Sequence, residues 1–459
     1  MTTIETPVII APNQKASDNR VRFGPALAVA VAVAALGVRF VLFIRKYSVN
    51  IFFMDQWDYL RLFFNRQANV ASLFFLEHAP HREGVGLLPN LLLYPLSHWN
   101  SRVDSFVIGG AIFAAMLIAL RLKCRLYGPL SYSDVAIPLI FLTVTQFETL
   151  VITPNPSHSG FPLLLIVCYC LALVERNWLL RYAVILCLNF LLIYTGFGIF
   201  MGVVTIGLFL FECYWSWRRF TSVPFTRPFT ALLLALASLA SFFVHYVFQP
   251  AANCFQLPHN NWLNYPQFMG LMLSGFVVPR PLKVSTEMII LGAAILFLML
   301  SVFIWHSLHL VKSPIRDTHL VGTVLMAFSL LFAANTSIGR QCLGLEQALS
   351  SRYSTLIIPA FLALYFYFLS VPWHGTRNLV LASFVVLLVP VVVRTPLEEA
   401  GGFSDAKRRW ADCYVRTGDI HYCDESTSFK IYPAPESTQL QQKLDYLKEH
   451  HLNLFAHSK

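Results

Sequence analysis

Runs of about twenty apolar residues, separated by short polar segments, recur from residue 26 to residue 393. A soluble domain carries roughly 25% charged residues. Here 13% of 459 residues are charged and 56% are hydrophobic, with a mean hydropathy of +0.59. Water cannot solvate such runs, and in lipid each backbone N–H and C=O must be satisfied within its own segment, so the runs must be helices. The expected fold is an all-α polytopic membrane protein of about eleven transmembrane helices. The spans read as 26–44, 104–120, 135–152, 160–174, 182–195, 198–214, 229–248, 286–305, 319–334, 353–371 and 378–393. The runs 182–195 and 198–214 are joined by Thr195-Gly196-Phe197-Gly198 and read either as two spans or as one broken element.

The division that follows is a cytoplasmic tail 1–25, a bundle 26–394 and a small soluble extracytoplasmic region 395–459. The first run is too long for a signal h-region and is followed by Arg45 and Lys46 instead of a small-residue cleavage site, so it reads as a retained anchor. Lys and Arg cluster in the segments assigned to the inside. Among the short outer loops they occur only as Arg280, Lys283, Arg340 and Arg352, provided the Thr195–Gly198 turn faces out. This places the N-terminus inside and the C-terminus outside an inner (cytoplasmic) membrane. The formal charge of +10 is scattered between apolar runs with no long basic block, which fits membrane lipids as partners and excludes nucleic acid.

Ionisable residues concentrate in the first outer loop, 45–103, in the stretch FFMDQWDYLRLFFNRQANVASLFFLEHAPHRE that starts at Phe52. Placing such groups among aromatics at a membrane surface costs free energy, which makes them functional candidates. Asp55 and Asp58 share a face if helical, and can hold a divalent ion such as Mg or Mn or serve as a general base. The run from Asp55 to Phe64 reads as a helix along the interface, and Trp57 and Trp99 suit the headgroup belt. Gly84 to Leu96 holds Pro89 and Pro95 and reads as an interfacial or re-entrant segment rather than a span.

Glu77, His78, His81 and Arg82 allow zinc binding, sugar or phosphate contact, or a structural ion network; Pro80 interrupts any helix there. Arg340, with Arg352 and Tyr353 at a helix start, suits a phosphate site. Glu148, His158 and His245 fall at outer helix ends, while Asn189 is the clearest polar residue in mid-helix. The second outer loop, 249–285, suggests a short apolar helix dipping back. In the tail, Thr438 and Gln441 suggest a capping box ahead of Leu440, Leu444 and Leu447. Cys254, Cys342, Cys413 and Cys423 lie on the outside, where Cys413 and Cys423 can form a disulfide.

The placement of Asp55-Gln56-Trp57-Asp58 directly after the first helix, the partly helical loop that follows, the outer arginines and the outward tail together resemble the GT-C superfamily of integral membrane glycosyltransferases. That resemblance implies transfer of a sugar from a polyprenyl-phosphate carrier to a glycan or lipid acceptor. It implies Asp55 or Asp58 as the base, Arg340 and Arg352 on the leaving phosphate, and a divalent ion or none. Two other readings use the same residues. One is a polysaccharide ligase, polymerase or acyltransferase with His78, His81 or His158 as base. The other is a flippase or transporter, which the scarcity of mid-helix polar residues disfavours.

Overall fold

The structure, a computed structural model, describes residues 23–78, 80–218, 223–248, 261–278, 283–312, 317–393 and 397–456. The expected inner tail up to residue 22, Cys254 and Arg280 lie outside the described residues. The described chain is helical apart from one two-stranded hairpin. Seven helices among the described residues are long and apolar enough to cross a membrane, and further apolar helices such as Gly160–Leu173, Trp178–Ile193 and Thr226–Phe242 are shorter. Large apolar side chains such as Val38, Phe297 and Leu387 point out of the bundle, as in a multi-pass membrane protein. Some charges within the bundle are paired. Lys123 Nζ lies 2.7 Å from Asp134, both side chains buried, and Arg181 is bound to Glu212.

Helices Trp178–Ile193 and Ile199–Trp217 are separate elements that pack on each other across a one-turn 3-10 segment, Gly196–Gly198. The expected helix at Asn264–Val277 is present, and Gly270 meets Gly292 of the next helix backbone to backbone.

The segment 135–152 is not the continuous span that its hydropathy suggests. It is α-helical only over Ala136–Phe141. Thr143 is extended and its hydroxyl accepts from the Thr145 N–H, and a π-helical turn follows at Glu148–Ile152. The side chain of Gln146 replaces lost helical bonds by donating to the carbonyls of Phe141 and Thr143. Polar side chains that compete for the backbone unwind the helix here, whatever its hydropathy.

The first loop also departs from expectation. The expected helix from Asp55 breaks at Leu60 into Gln56–Tyr59 and Arg61–Phe64. Trp57 is 0% exposed and Trp99 8%, so neither belongs to a headgroup belt. Glu77–His78 (β1) and His81–Arg82 (β2) pair antiparallel, His78 opposite His81, so helical spacing does not describe them. Gly84–Leu87 and Asn90–Ser97 are short helices, the second with Pro95 inside it.

The C-terminal region covers this loop and shares its core. Helices Leu397–Thr417, Ile420–Thr427 and Leu440–Glu449 carry buried Trp410, Leu444 and Leu447 into the cluster that holds Phe52 and Trp57. Phe429 stacks on Phe53 at 5.3 Å, and Asn453 donates its N–H to the His98 carbonyl. The region is therefore part of the molecule's main core. The expected capping box is absent: the last long helix follows Gln439 in the left-handed region, and Thr438 is used elsewhere. Cys413 and Cys423 form a disulfide, and Cys342 is also disulfide-bonded. Alkylation of unreduced protein is expected to leave Cys413 and Cys423 unlabelled. Breaking their short loop is expected to cost about 2–3 kcal/mol, read as a lower unfolding temperature under reduction; labelling of both thiols in oxidised protein removes the bond.

Candidate functional site

Helix ends converge with the first loop and the tail on a cavity of about 940 Å³. Its polar wall carries Asp55, His78, His81, Glu148, Asn155, His158, Arg340 and Arg352, and its apolar wall carries Phe197, Phe200, Phe242, Phe243 and Phe248. Residues from early and late in the chain, Asp55 and Arg352 among them, therefore face the same space.

Asp55 and Asp58 do not act as a pair. Asp58 accepts hydroxyl hydrogen bonds on both oxygens, from Tyr432 (2.6 Å) and Thr438 (2.7 Å), and does not line the cavity. Burial and the neighbouring Asp58 push the Tyr432 phenol up to about 12, so it remains a donor. Lys443 Nζ donates to Thr438 Oγ1 (2.6 Å) and to the Trp57 carbonyl (2.5 Å); burial draws its ammonium down to about 8. Asp55 faces the cavity, and its carboxylate accepts no hydrogen bond among the described residues. The preceding Met54 holds a left-handed φ of 50°, with its N–H donating to the Ile431 carbonyl of the tail. Asp58 and the tail thus position the turn that presents Asp55. A Mg or Mn ion does not fit a chelate of this pair, because the two carboxylates diverge and one is saturated by hydroxyls. Among the described residues no group of three or more His, Cys, Asp or Glu converges to hold a metal.

The hairpin is organised by Glu83, which is 0% exposed. Its Oε1 lies 3.1 Å from His78 Nδ1 and 2.8 Å from His158 Nε2, the second contact poorly aligned for a hydrogen bond, and its Oε2 accepts from Asn155 (3.0 Å). Its carbonyl accepts from the Ser157 hydroxyl, which in turn accepts from the Gly86 N–H. A Cβ at Gly86 would sit 2.3 Å from that hydroxyl oxygen, so this approach requires glycine. Gly196, at φ +45°, leaves room for the His158 ring in the same way. Burial raises the Glu83 carboxyl, but the two imidazoles outweigh it and hold the group well below the usual carboxylate range. Burial lowers His78, yet Glu83, with help from Asp55 and Asp58, leaves it raised. His81 packs on Phe197 (4.5 Å) and beside His158. Burial first, then His158, His78 and Arg340, pull it down to about 3 despite Glu83.

Two expected ligand contacts are structural instead. Glu77 accepts from the Val247 N–H and, through its carbonyl, from Arg61. Arg82 is buried and donates to the carbonyls of Phe75, Phe242 and Val244, away from the cavity. Arg352 lines the cavity but is bound by Glu148 Oε1, at 2.8 Å from Nε and 2.5 Å from Nη2. Arg340, the last residue of Asp317–Arg340, makes no hydrogen bond or ion pair among the described residues. Tyr353 is a buried wall residue packed on Phe332. Asn189 is buried and its amide makes no hydrogen bond among the described residues. In the sequence Glu83 stands only as the last acid of the Glu77-His78-x-x-His81-Arg82-Glu83 cluster, with no role of its own, and Asn155 is not singled out; the polar Asn155-Pro156-Ser157-His158 turn between two apolar runs is the available signal for it.

No family model, curated protein or solved structure matches this chain.

The shifts give opposite pH signs. Glu83 contributes stability above pH 4.5 that is lost as pH falls through its lower folded value, whereas His78 contributes stability below pH 6.5 that is lost as pH rises through its higher one. His81 must stay neutral, so stability falls as pH drops from 6.5 towards about 3. In thermal unfolding against pH, His81→Asn is expected to flatten that acid limb; a limb of unchanged slope excludes His81 as its source. Tyr432→Phe is expected to lower stability by about 1–3 kcal/mol through the lost bond to Asp58, measured by denaturant unfolding.

Proposed function

We propose that this protein is an integral membrane glycosyltransferase that moves a sugar from a polyprenyl-phosphate carrier to a hydroxyl of a glycan or lipid acceptor. What supports the reading is one observation: the side chains of Asp55 and Arg340 line the same cavity and make no hydrogen bond or ion pair among the described residues, whereas Arg352 on that wall is bound by Glu148 and Asp58 and Arg82 are satisfied away from it. In this reading Asp55 accepts the acceptor's proton and Arg340 stabilises charge on the departing phosphate, while the charge of Arg352 is offset by its ion pair with Glu148. The phenylalanine wall suits the carrier's hydrocarbon chain. The site is read as lying at the outer face of a cytoplasmic membrane with the tail outside, where the Cys413–Cys423 bond is favoured by an oxidising milieu.

Nanodisc-embedded protein supplied with a polyprenyl-phosphate hexose pool and a crude glycan acceptor tests this through release of free polyprenyl phosphate. Asp55→Asn is expected to slow release by about 10²–10⁴-fold and Arg340→Ala by about 10²–10³-fold, at unchanged folding. If Asp55→Asn turns over normally while His158→Gln abolishes release, the histidine-based ligase or polymerase takes its place. Uptake of intact lipid or solute into vesicles without release marks a transporter.

A further inference from the structure

Glu83 holds His78 in one orientation. Its carboxylate is fully buried and is already contacted by His158 and Asn155, so it can only accept from His78. Nδ1 therefore carries the proton, and Nε2 is the nitrogen left for a ligand. The His78 side chain is 16% exposed, lines the cavity, and makes no hydrogen bond through Nε2 among the described residues. The edge contact with Tyr59 and the cross-strand pairing with His81 fix the ring further. His78, His81 and Arg340 all line that cavity.

We infer that His78, oriented by Glu83, is a catalytic residue that donates its Nε2–H to the departing phosphate oxygen of the donor, beside Arg340. This rests on the glycosyltransferase reading and deepens it. As the bond from the anomeric carbon to the phosphate oxygen breaks, its electron pair stays on the phosphate. A new bond joins the anomeric carbon to the acceptor oxygen, whose proton passes to Asp55. The imidazolium hydrogen-bonds the phosphate or gives it that proton, and the neutral ring still donates Nδ1–H to Glu83. When the proton has gone to phosphate, return of one from Asp55 to His78 restores both groups, and Asp55 is among the charges acting on that ring. The ionisable groups around the ring are Glu83, Tyr59 and His81, with His158 on the far side of Glu83, and the charges of Asp55 and Asp58 also act on it. The carboxylates favour its charged form, which lies above the ordinary imidazole range in pKa.

The test is binding of farnesyl phosphate to the full chain in nanodiscs from about pH 6 to about pH 9, with farnesol as the uncharged control. Wild-type protein is expected to prefer the phosphate, and to lose that preference as pH rises through the His78 pKa. His78→Gln is expected to bind the phosphate about tenfold more weakly at low pH and to follow only the ligand's own titration. Glu83→Gln is expected to move the wild-type midpoint to lower pH, a shift that a purely structural glutamate does not produce. Should Glu83→Gln fail to fold, the His78→Gln profile decides alone. Phosphate binding that is blind to both substitutions overturns the dyad and leaves the glycosyltransferase reading standing. Equal binding of phosphate and alcohol by wild-type protein removes the phosphate site and that reading with it.

Discussion

A carboxylate with no exposed surface survives only where its lost hydration is replaced, and Glu83 is such a group. Its partners come from two sides: His78 from the hairpin it closes, and His158 and Asn155 from the turn before Gly160–Leu173. The same turn is drawn in by Tyr59 and Gln56, which both donate to the Pro154 carbonyl. Removing the carboxylate would leave two imidazoles and an amide without their shared acceptor. The hairpin, the Asn155–His158 turn and the polar wall of the cavity therefore stand or fall together.

A second constraint comes from the end of the chain. Met54 holds a backbone conformation that costs a non-glycine residue about 1 kcal/mol or more, and the Ile431 carbonyl and the clamp on Asp58 hold it there. The cost is offset by hydroxyl donors and aromatic stacking supplied from nearly 380 residues away. This separates two aspartates that look equivalent in the sequence. One is spent on anchoring, and the other keeps its carboxylate for the cavity.

The cavity itself depends on the failure of one helix. Had 135–152 continued as a span, its polar groups would have been turned into the bundle. Unwinding at Thr143 and the π-turn bring Glu148 beside Arg352, while Arg340 on that wall makes no hydrogen bond or ion pair among the described residues. Backbone irregularity at such a depth is tolerated because side chains such as Gln146 take over the freed carbonyls.

The sequence by itself determined the class: long apolar runs with few charges admit helices in a membrane and little else, and ten of the expected runs form helices where hydropathy places them. It also brought forward the first loop, because charge among aromatics is costly wherever it lies. What it did not settle was which of those charges are spent on other parts of the protein. Arg82 and Glu77 look like ligand contacts until the strand pairing, the carbonyls of Phe242 and Val244 and the N–H of Val247 are known. Glu83 looks like one acid among several until burial singles it out. Those outcomes rest on contacts between residues 70 to 380 positions apart, and local spacing carries no record of them. Tertiary structure alone decided that Asp55, Arg340 and the Glu83-bound His78 line one cavity.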